Sequence, residues 1–218
     1  MKVVSFSLWG KDPKYNIGAI QNSYLAKYIY TGWEVRFYVA DCVPIETTEQ
    51  LIINGSKIIN KGPANYKSMF WRFDPIKDSS VDLFVSRDTD SRLNFRERFA
   101  VEEWLNSKKA LHIMRDHPWH ATSILGGMWG LKGNIPDLDE MVNTFISNYY
   151  NLSNLQVGHY DLDQNFLRNI IYPLFKDNSI VHDEFFNKTA FPSNRESNEY
   201  VGAPYNEKDQ LEIEFKNE

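Results

Sequence analysis

The feature that most constrains this chain is a regular exchange, from residue 3 to residue 114, between short strand-like apolar runs and longer stretches with helical spacing. Residues 3–8 form an apolar run that stops at Trp9-Gly10, as a buried strand does. Residues 16–30 put Ile17, Ile20, Tyr24, Ala26, Tyr28 and Ile29 mostly on one helical face and end at Thr31-Gly32. Residues 34–40 alternate polar and apolar as a strand, 44–54 predict a helix, and 57–59 a short strand after Gly55. The order then continues with a helix over 66–73, a strand over 81–86, an amphipathic helix over 95–106 and a strand over 110–114. Strands separated by helices require an α/β fold: a mainly parallel sheet with helices on both faces. Beyond Pro118 the pattern loosens around Gly126-Gly127 and Gly130, and helices are predicted over 138–150 and 163–171. With no repeat or linker, the expectation is one catalytic domain over 1–195 and a loosely held polar tail over 196–218.

Composition narrows the function classes. A hydrophobic fraction of 42% with 15% aromatics over 218 residues is enough to bury a core. A formal net charge of −5 without a basic run argues against nucleic acid as the partner, because such binders cluster Lys and Arg against phosphates. Cys42 is the only cysteine, so no intrachain disulfide forms, and this favours a reducing, cytoplasmic location. No segment reaches the length of a membrane span, and the apolar run at the start is too short for a signal peptide. The Asn-x-Ser/Thr triplets at Asn54, Asn151 and Asn187 are read as chance.

In an open parallel sheet, ligands bind outside the carboxyl ends of the strands. There, after the strand ending at Ser86, comes Arg87-Asp88-Thr89-Asp90-Ser91-Arg92. Two aspartates one residue apart on a turn can aim carboxylates at one hard cation, which also takes substrate phosphates. The same string suits a solvated turn or a helix N-cap. Its place after a buried strand, between Arg87 and Arg92, favours metal and diphosphate.

The runs SRDTDSRL, RERFAVEEWLNS, HIMRDHPWH and ILGGMWG, in that order, resemble a group of small D-x-D glycosyltransferase domains of the GT-A fold, found in bacteria and large algal viruses. The resemblance extends to SFSLWG and YNIGAIQNSYLAKYIYTGW before these runs, to FWRFDP, and to DLDQNFLRNIIYP and VHDEF after them, covering roughly residues 3–186. It implies a GT-A-like sheet, a nucleotide-sugar donor (UDP-linked favoured, GDP-linked as the alternative), Mn2+ or Mg2+, and transfer to a hydroxyl of a carbohydrate or glycoconjugate acceptor.

The resemblance also assigns residues. Asp88, Thr89 and Asp90 would hold metal and diphosphate, with His182 as a further metal ligand from a late strand, although a His there also suits packing. Ser7, Leu8 and Trp9 would meet base and ribose, with polar contacts from Tyr15 and Asn16. Arg72, a cation among aromatics, reads as a fork to a carboxylate or phosphate, or as an arginine whose stem packs and whose head reaches water. Arg87 would join the donor site, Arg115 would steady the diphosphate, Asp116 would accept from sugar hydroxyls, and His117 or His120 would line the acceptor side, with one of these alternatively a salt-bridged support; the exposed-looking Trp119 and Tyr160 hint at a carbohydrate acceptor. Gly126 and Gly127 would let backbone approach the donor sugar, or form an ordinary turn. Asp163, beside Gln164, is the candidate for a general base or for a carboxylate stabilising an oxocarbenium-like centre; Asp161 and Asp163 also suit a helix N-cap. A nucleotidyltransferase and a non-catalytic nucleotide-sugar-binding domain are the alternatives, with a phosphohydrolase lacking a clear nucleophile.

Overall fold

A computed structural model describes residues 1–152, 161–195 and 198–212, with the side chains of 150–152 outside the description. The chain builds one seven-stranded sheet in the order β3-β2-β1-β4-β6-β5-β7. Its strands are β1 (Lys2–Leu8), β2 (Glu34–Val39), β3 (Lys57–Asn60), β4 (Leu83–Arg87), β5 (Leu111–Arg115), β6 (Met128–Lys132) and β7 (Ser179–Asp183). All run parallel except β6, which lies antiparallel between β4 and β5. The GT-A-like mixed, mostly parallel sheet expected of the sequence is therefore present. β6 was legible only as a short apolar piece, because Gly130 and the flanking glycines mask a strand. A Cβ at Gly130 would press on the Phe84 carbonyl 2.7 Å away, so the bare backbone there lets β6 lie against β4.

Helices α1 (Pro13–Ile29), α2 (Ile45–Ile53), α3 (Phe95–Asn106) and α4 (Leu138–Leu152) match the predicted helical stretches to within a few residues. α1 starts earlier than its periodicity suggested, because Asp12 caps it by accepting from the Lys14 N–H at 2.9 Å and Pro13 opens its first turn. The stretch predicted as a helix over 66–73 is a 3-10 segment, Ser68–Lys77, with Pro75 inside it. The predicted helix over 163–171 is α5 (Leu162–Phe166), a π turn (Leu167–Ile171) and α6 (Tyr172–Phe175).

Alternation along the strands splits the core. Val3, Phe84, Leu111, Ile113 and Trp129 face one side with Phe70, Phe73, Val142 and Phe166, while Val4, Phe6, Phe37, Val85 and Trp104 face the other with Ala19, Ala26 and Leu51. Each face is covered by helical segments, as a sheet apolar on both sides demands. The strand order reverses at β1, which lies between β2 and β4, so the crevice outside the ends of β1 and β4 is the switch point where such sheets bind ligands.

Residues 198–212 differ from the loose tail expected of their polarity. Ser91 and Pro204 form a β-bridge, Tyr205 donates its N–H to the Asp90 carbonyl at 2.8 Å, and Val201 and Ala203 are buried. Backbone pairing and ion pairs hold this segment, and neither registers in a hydrophobic pattern. Residues 196, 197 and 213–218 of the expected tail, and Tyr160, lie outside the described residues. Among the described residues no helix is long and apolar enough to cross a membrane.

Candidate active site

The site is built at the switch point. β4 ends at Arg87, so Asp88 is the first residue beyond the sheet, and its side chain is 43% exposed. Arg72, from the 3-10 segment, reaches across to it: Nη1 donates to Asp88 Oδ1, and Nη2 lies 2.5 Å from Asp163 Oδ2. The Arg72 backbone N–H donates to Ser7 Oγ at 2.8 Å, which ties the segment to the end of β1. Two segments far apart in the chain thus meet at the Arg72 guanidinium, and a third holds its backbone. Burial alone would lower the Arg72 pKa, but Asp88 and Asp163 outweigh it and raise it, so Arg72 is a fixed cation.

The turn before β6 makes room for this cluster. A Cβ on Gly126 would overlap the Arg72 guanidinium and the Asp163 carboxylate, and one on Gly127 would overlap the Asp88 carboxylate. Only glycine permits these approaches. Asp163 lies in the first turn of α5, buried, with Oδ1 accepting from the Gln164 N–H at 2.8 Å. Burial raises its carboxyl above the ordinary value, with Arg72 opposing the rise. The Gln164 side chain turns away to Asp161 Oδ1 at 2.7 Å, and Asp161, at φ 62°, adopts the left-handed conformation before α5.

Asp90 is pushed up to about 6, first by burial and then by the negative charge of Asp88, with Lys14 opposing at 3.8 Å. A buried carboxylate whose ionised form a neighbouring carboxylate disfavours invites a cation beside it. The donor set fits a hard divalent ion: two carboxylates at a partly open position, with the other ligand places left to water and substrate phosphates, as Mg2+ commonly takes them. Among the described residues no cluster of three His, Cys, Asp or Glu side chains is placed to hold a metal ion.

The loop carrying the pair is held by α1, and this pattern did not show it. Asn22, fully buried, donates to the Ser91 carbonyl at 2.8 Å and the Thr89 carbonyl at 3.4 Å, and accepts from the Leu93 N–H at 3.0 Å. A Cβ on Gly18 would overlap the Thr89 carbonyl, so α1 lies hard against the loop. A polar Asn in the inward-facing register of α1, beside Ala19 and Ala26, was the available signal. Thr89 is buried, and Arg92 donates to its carbonyl at 3.3 Å. Trp9 and Tyr15, at the crevice edge, keep large exposed faces, whereas Leu8 is buried in the core.

Several candidate residues lie elsewhere, for identifiable reasons. His182 is not brought to the aspartate pair: it sits in β7, three strand spacings of about 4.8 Å from β4, so roughly 14 Å away. Its Nδ1 is 2.9 Å from His112 Nε2 and its Nε2 is 3.4 Å from Glu103, and burial lowers the pKa of both histidines. Arg87 turns inward: its Nε donates to Glu97 at 2.8 Å and its Nη2 to the Tyr30 hydroxyl at 3.1 Å, on the buried side of β4. Arg115 pairs with Asp183 at 2.7 Å. Asp116 is fully buried between Arg96 and Arg195, so it is not open to sugar hydroxyls. Asn16 donates to the Asp12 carbonyl at 2.8 Å and the Gly10 carbonyl at 3.3 Å, fixing the start of α1.

Beside the site, His117 stacks on Tyr200 with ring centroids 4.3 Å apart, and His120 lies close to His117. Burial takes His120 down to about 4. Trp119 is 71% exposed, and a cleft of about 320 Å3 is lined by Arg96, Glu184, Phe185, Asn194 and Arg195.

No family model matches the chain, and no curated protein matches it. Solved structures do. A glycosyltransferase involved in glycosylation of the major capsid of PBCV-1 is 15% identical, with 87% of this chain and 90% of that chain covered and a TM-score of 0.53. The galactosyltransferase LgtC, solved in complex with donor and acceptor sugar analogs, is 13% identical, with 85% of this chain and 74% of that chain covered and a TM-score of 0.54. At these identities the likeness is one of backbone architecture, and it establishes that this chain has the GT-A glycosyltransferase fold.

Proposed function

We propose that the protein is a metal-dependent glycosyltransferase that moves a sugar from a nucleotide-diphosphate sugar, UDP-linked by preference and GDP-linked as the alternative, to a hydroxyl of a carbohydrate or glycoconjugate acceptor. The observation that carries this reading is the convergence of Asp88, Arg72 and Asp163 over Gly126-Gly127, beside Asp90, at the switch point of the sheet. The likeness in fold to glycosyltransferases supports it.

Asp88 and Asp90 would hold the divalent ion, Mn2+ or Mg2+. Bound there, the ion supplies positive charge where the nucleoside diphosphate leaves. Ser7 and Trp9, at the carboxyl end of β1, would meet base and ribose. Arg72 holds Asp88 and Asp163 in a fixed relation, so the metal-side carboxylate and the sugar-side carboxylate are oriented by one guanidinium. Both oxygens of Asp163 are engaged, one by Arg72 and one by the Gln164 N–H. A carboxylate held in this way suits a fixed negative charge facing the reacting sugar carbon better than a mobile base. Gly126 and Gly127 leave the space in which the sugar would meet it.

The test is calorimetric titration of UDP and GDP with and without Mn2+, followed by hydrolysis of UDP- and GDP-sugars. The wild-type chain is expected to bind one nucleotide in a Mn2+-dependent way and to turn over its sugar. Asp90→Asn is expected to reduce metal-dependent hydrolysis by about a hundredfold or more with an unchanged fold. Full activity of that variant without metal would overturn the assignment, and binding without any turnover would make the chain a binding domain.

A further inference from the structure

No motif singles out Lys14. It is the second residue of α1, and its Nζ lies 3.8 Å from Asp90 Oδ2 and 3.0 Å from Glu212 Oε2. Glu212 is there because 198–212 is docked on the aspartate loop: Tyr205 donates to the Asp90 carbonyl, Glu212 donates its N–H to the Pro204 carbonyl, and Asp209 pairs with Arg92 at 2.7 Å. The Arg92 guanidinium also lies 4.6 Å from the Tyr205 ring centre. The segment therefore delivers a carboxylate to Lys14 from a direction that α1 itself does not provide.

Each aspartate of the pair is answered by one side-chain cation, Asp88 by Arg72 and Asp90 by Lys14. The two cations differ in freedom. Arg72 is gripped by two carboxylates, with its side chain 11% exposed, whereas Lys14 makes one hydrogen bond, to a Glu212 that is 35% exposed, and stands beyond hydrogen-bond length from Asp90. Lysine is also a compact charge on a flexible stem, suited to follow a phosphate oxygen. A nucleoside diphosphate carries more negative charge than one divalent ion offsets when two carboxylates share that ion. The surplus falls beside Asp90, where Lys14 and the positive N-terminal end of the 17-residue α1 lie together.

We propose that Lys14 is a diphosphate-binding residue of the donor site, its ammonium passing from Asp90 to a phosphate oxygen when a nucleoside diphosphate binds, with Glu212 as the positioning residue that holds it within reach. This rests on the donor site being where the proposed function puts it. Lys14 neither makes nor breaks a covalent bond; it exchanges one anionic partner for another.

The experiment compares full-length wild type, Lys14→Met, Lys14→Arg and Glu212→Gln, titrated with UDP and GDP in Mn2+. Uridine and guanosine binding is followed by ligand-observed NMR, and the thermal melting of each variant is recorded. Lys14→Met is expected to weaken the bound diphosphate by roughly ten- to a hundredfold, the range of a charge-assisted hydrogen bond, and to leave the nucleoside unchanged. Lys14→Arg is expected to recover most of the loss, and Glu212→Gln to cost about threefold, since it removes placement and not the charge. Unchanged diphosphate affinity in Lys14→Met overturns the proposal, as does an equal loss for diphosphate and nucleoside, which would make Lys14 a brace for the loop. If Lys14→Met does not fold, Lys14→Gln takes its place, and a diphosphate affinity in Lys14→Gln equal to that of wild type overturns the proposal in the same way. If wild type binds neither UDP nor GDP, the donor reading itself fails and this inference falls with it.

Discussion

Two strands of this sheet end in the same dipeptide. β4 closes on Arg87 and is followed by Asp88; β5 closes on Arg115 and is followed by Asp116. In both, the arginine turns inward to a carboxylate, Glu97 or Asp183. The aspartates diverge. Asp116 accepts four hydrogen bonds, from Arg96 Nε and Nη2, Arg195 Nη2 and the Val201 N–H, at 2.9 to 3.0 Å. A carboxylate offers about four lone-pair sites, so Asp116 is saturated and has nothing left for a ligand. Asp88 has Arg72 on Oδ1, while Oδ2 rests against Gly127 at the mouth of the crevice. What separates a structural aspartate from a candidate ligand is the number of donors that distant segments bring to it, and not the local string.

The sharpest way to break this contrast is to neutralise each aspartate in turn. Asp116→Asn takes the buried counter-charge from Arg96, which keeps only the partly exposed Glu184, and from the partly exposed Arg195, and is expected to cost about 3 kcal/mol, read as a large fall in Tm or in the denaturant midpoint. Asp88→Asn leaves Arg72 with Asp163, so its stability cost is expected to stay within about 1 kcal/mol, while Mn2+-dependent donor hydrolysis falls by about a hundredfold or more. If Asp116→Asn kept its Tm and lost only activity, the saturated carboxylate would have to be reassigned to the chemistry.

A smaller effect tests the space around Asp88. Gly127→Ala pushes a methyl group into the Asp88 carboxylate and is expected to lower donor hydrolysis by about tenfold, since misplacing a reacting group by about 1 Å costs up to roughly a hundredfold. Its Tm is expected to fall by an amount corresponding to about 1–3 kcal/mol of overpacking. Unchanged turnover would mean that the position of this carboxylate does not matter to the reaction.

The same contrast explains what could be read from the chain. The strand-helix alternation and the place of Asp88 beyond a buried strand depend on local periodicity, which is written in consecutive residues. Arg72 was legible because a cation between Trp71 and Phe73 has to find a partner, and Asp163 because it precedes an amphipathic stretch. The partners of Arg87, Arg115, Asp116 and His182 come from segments up to about eighty residues away, and no spacing rule encodes them. His182 shows the limit most clearly. An imidazole at a strand end has the right chemistry for a metal, but strand order decides which strand end is beside the aspartates, and the antiparallel insertion of β6 sets β5 and β7 farther from β4. The docking of 198–212 escaped for a related reason: polar residues that pair with Arg92 and Lys14 look the same in sequence as polar residues in water.

The smallest expected effect is a matter of sign. For Asp90 the folded pKa, about 6, lies above the ordinary carboxylate value of 3.8, so ionisation costs the folded state. That cost is absent below about pH 4, grows as pH rises toward 6 and is constant above it. For Asp116, burial alone would raise the carboxyl, but the hydrogen bonds from Arg96, Arg195 and the Val201 N–H outweigh it and hold it below the ordinary value. Its contribution is present above about pH 4 and is lost as pH falls through the folded pKa. In EDTA, Asp90→Asn is therefore expected to melt a few degrees above wild type at pH 8 and level with it at pH 4. Asp116→Asn is expected to melt below wild type at pH 8, with the gap narrowing only as the pH drops below 4. An Asp90→Asn protein that melted below wild type at pH 8 in EDTA would show that the aspartate pair is stabilised by its surroundings, and Asp90 would join Asp116 as a structural carboxylate.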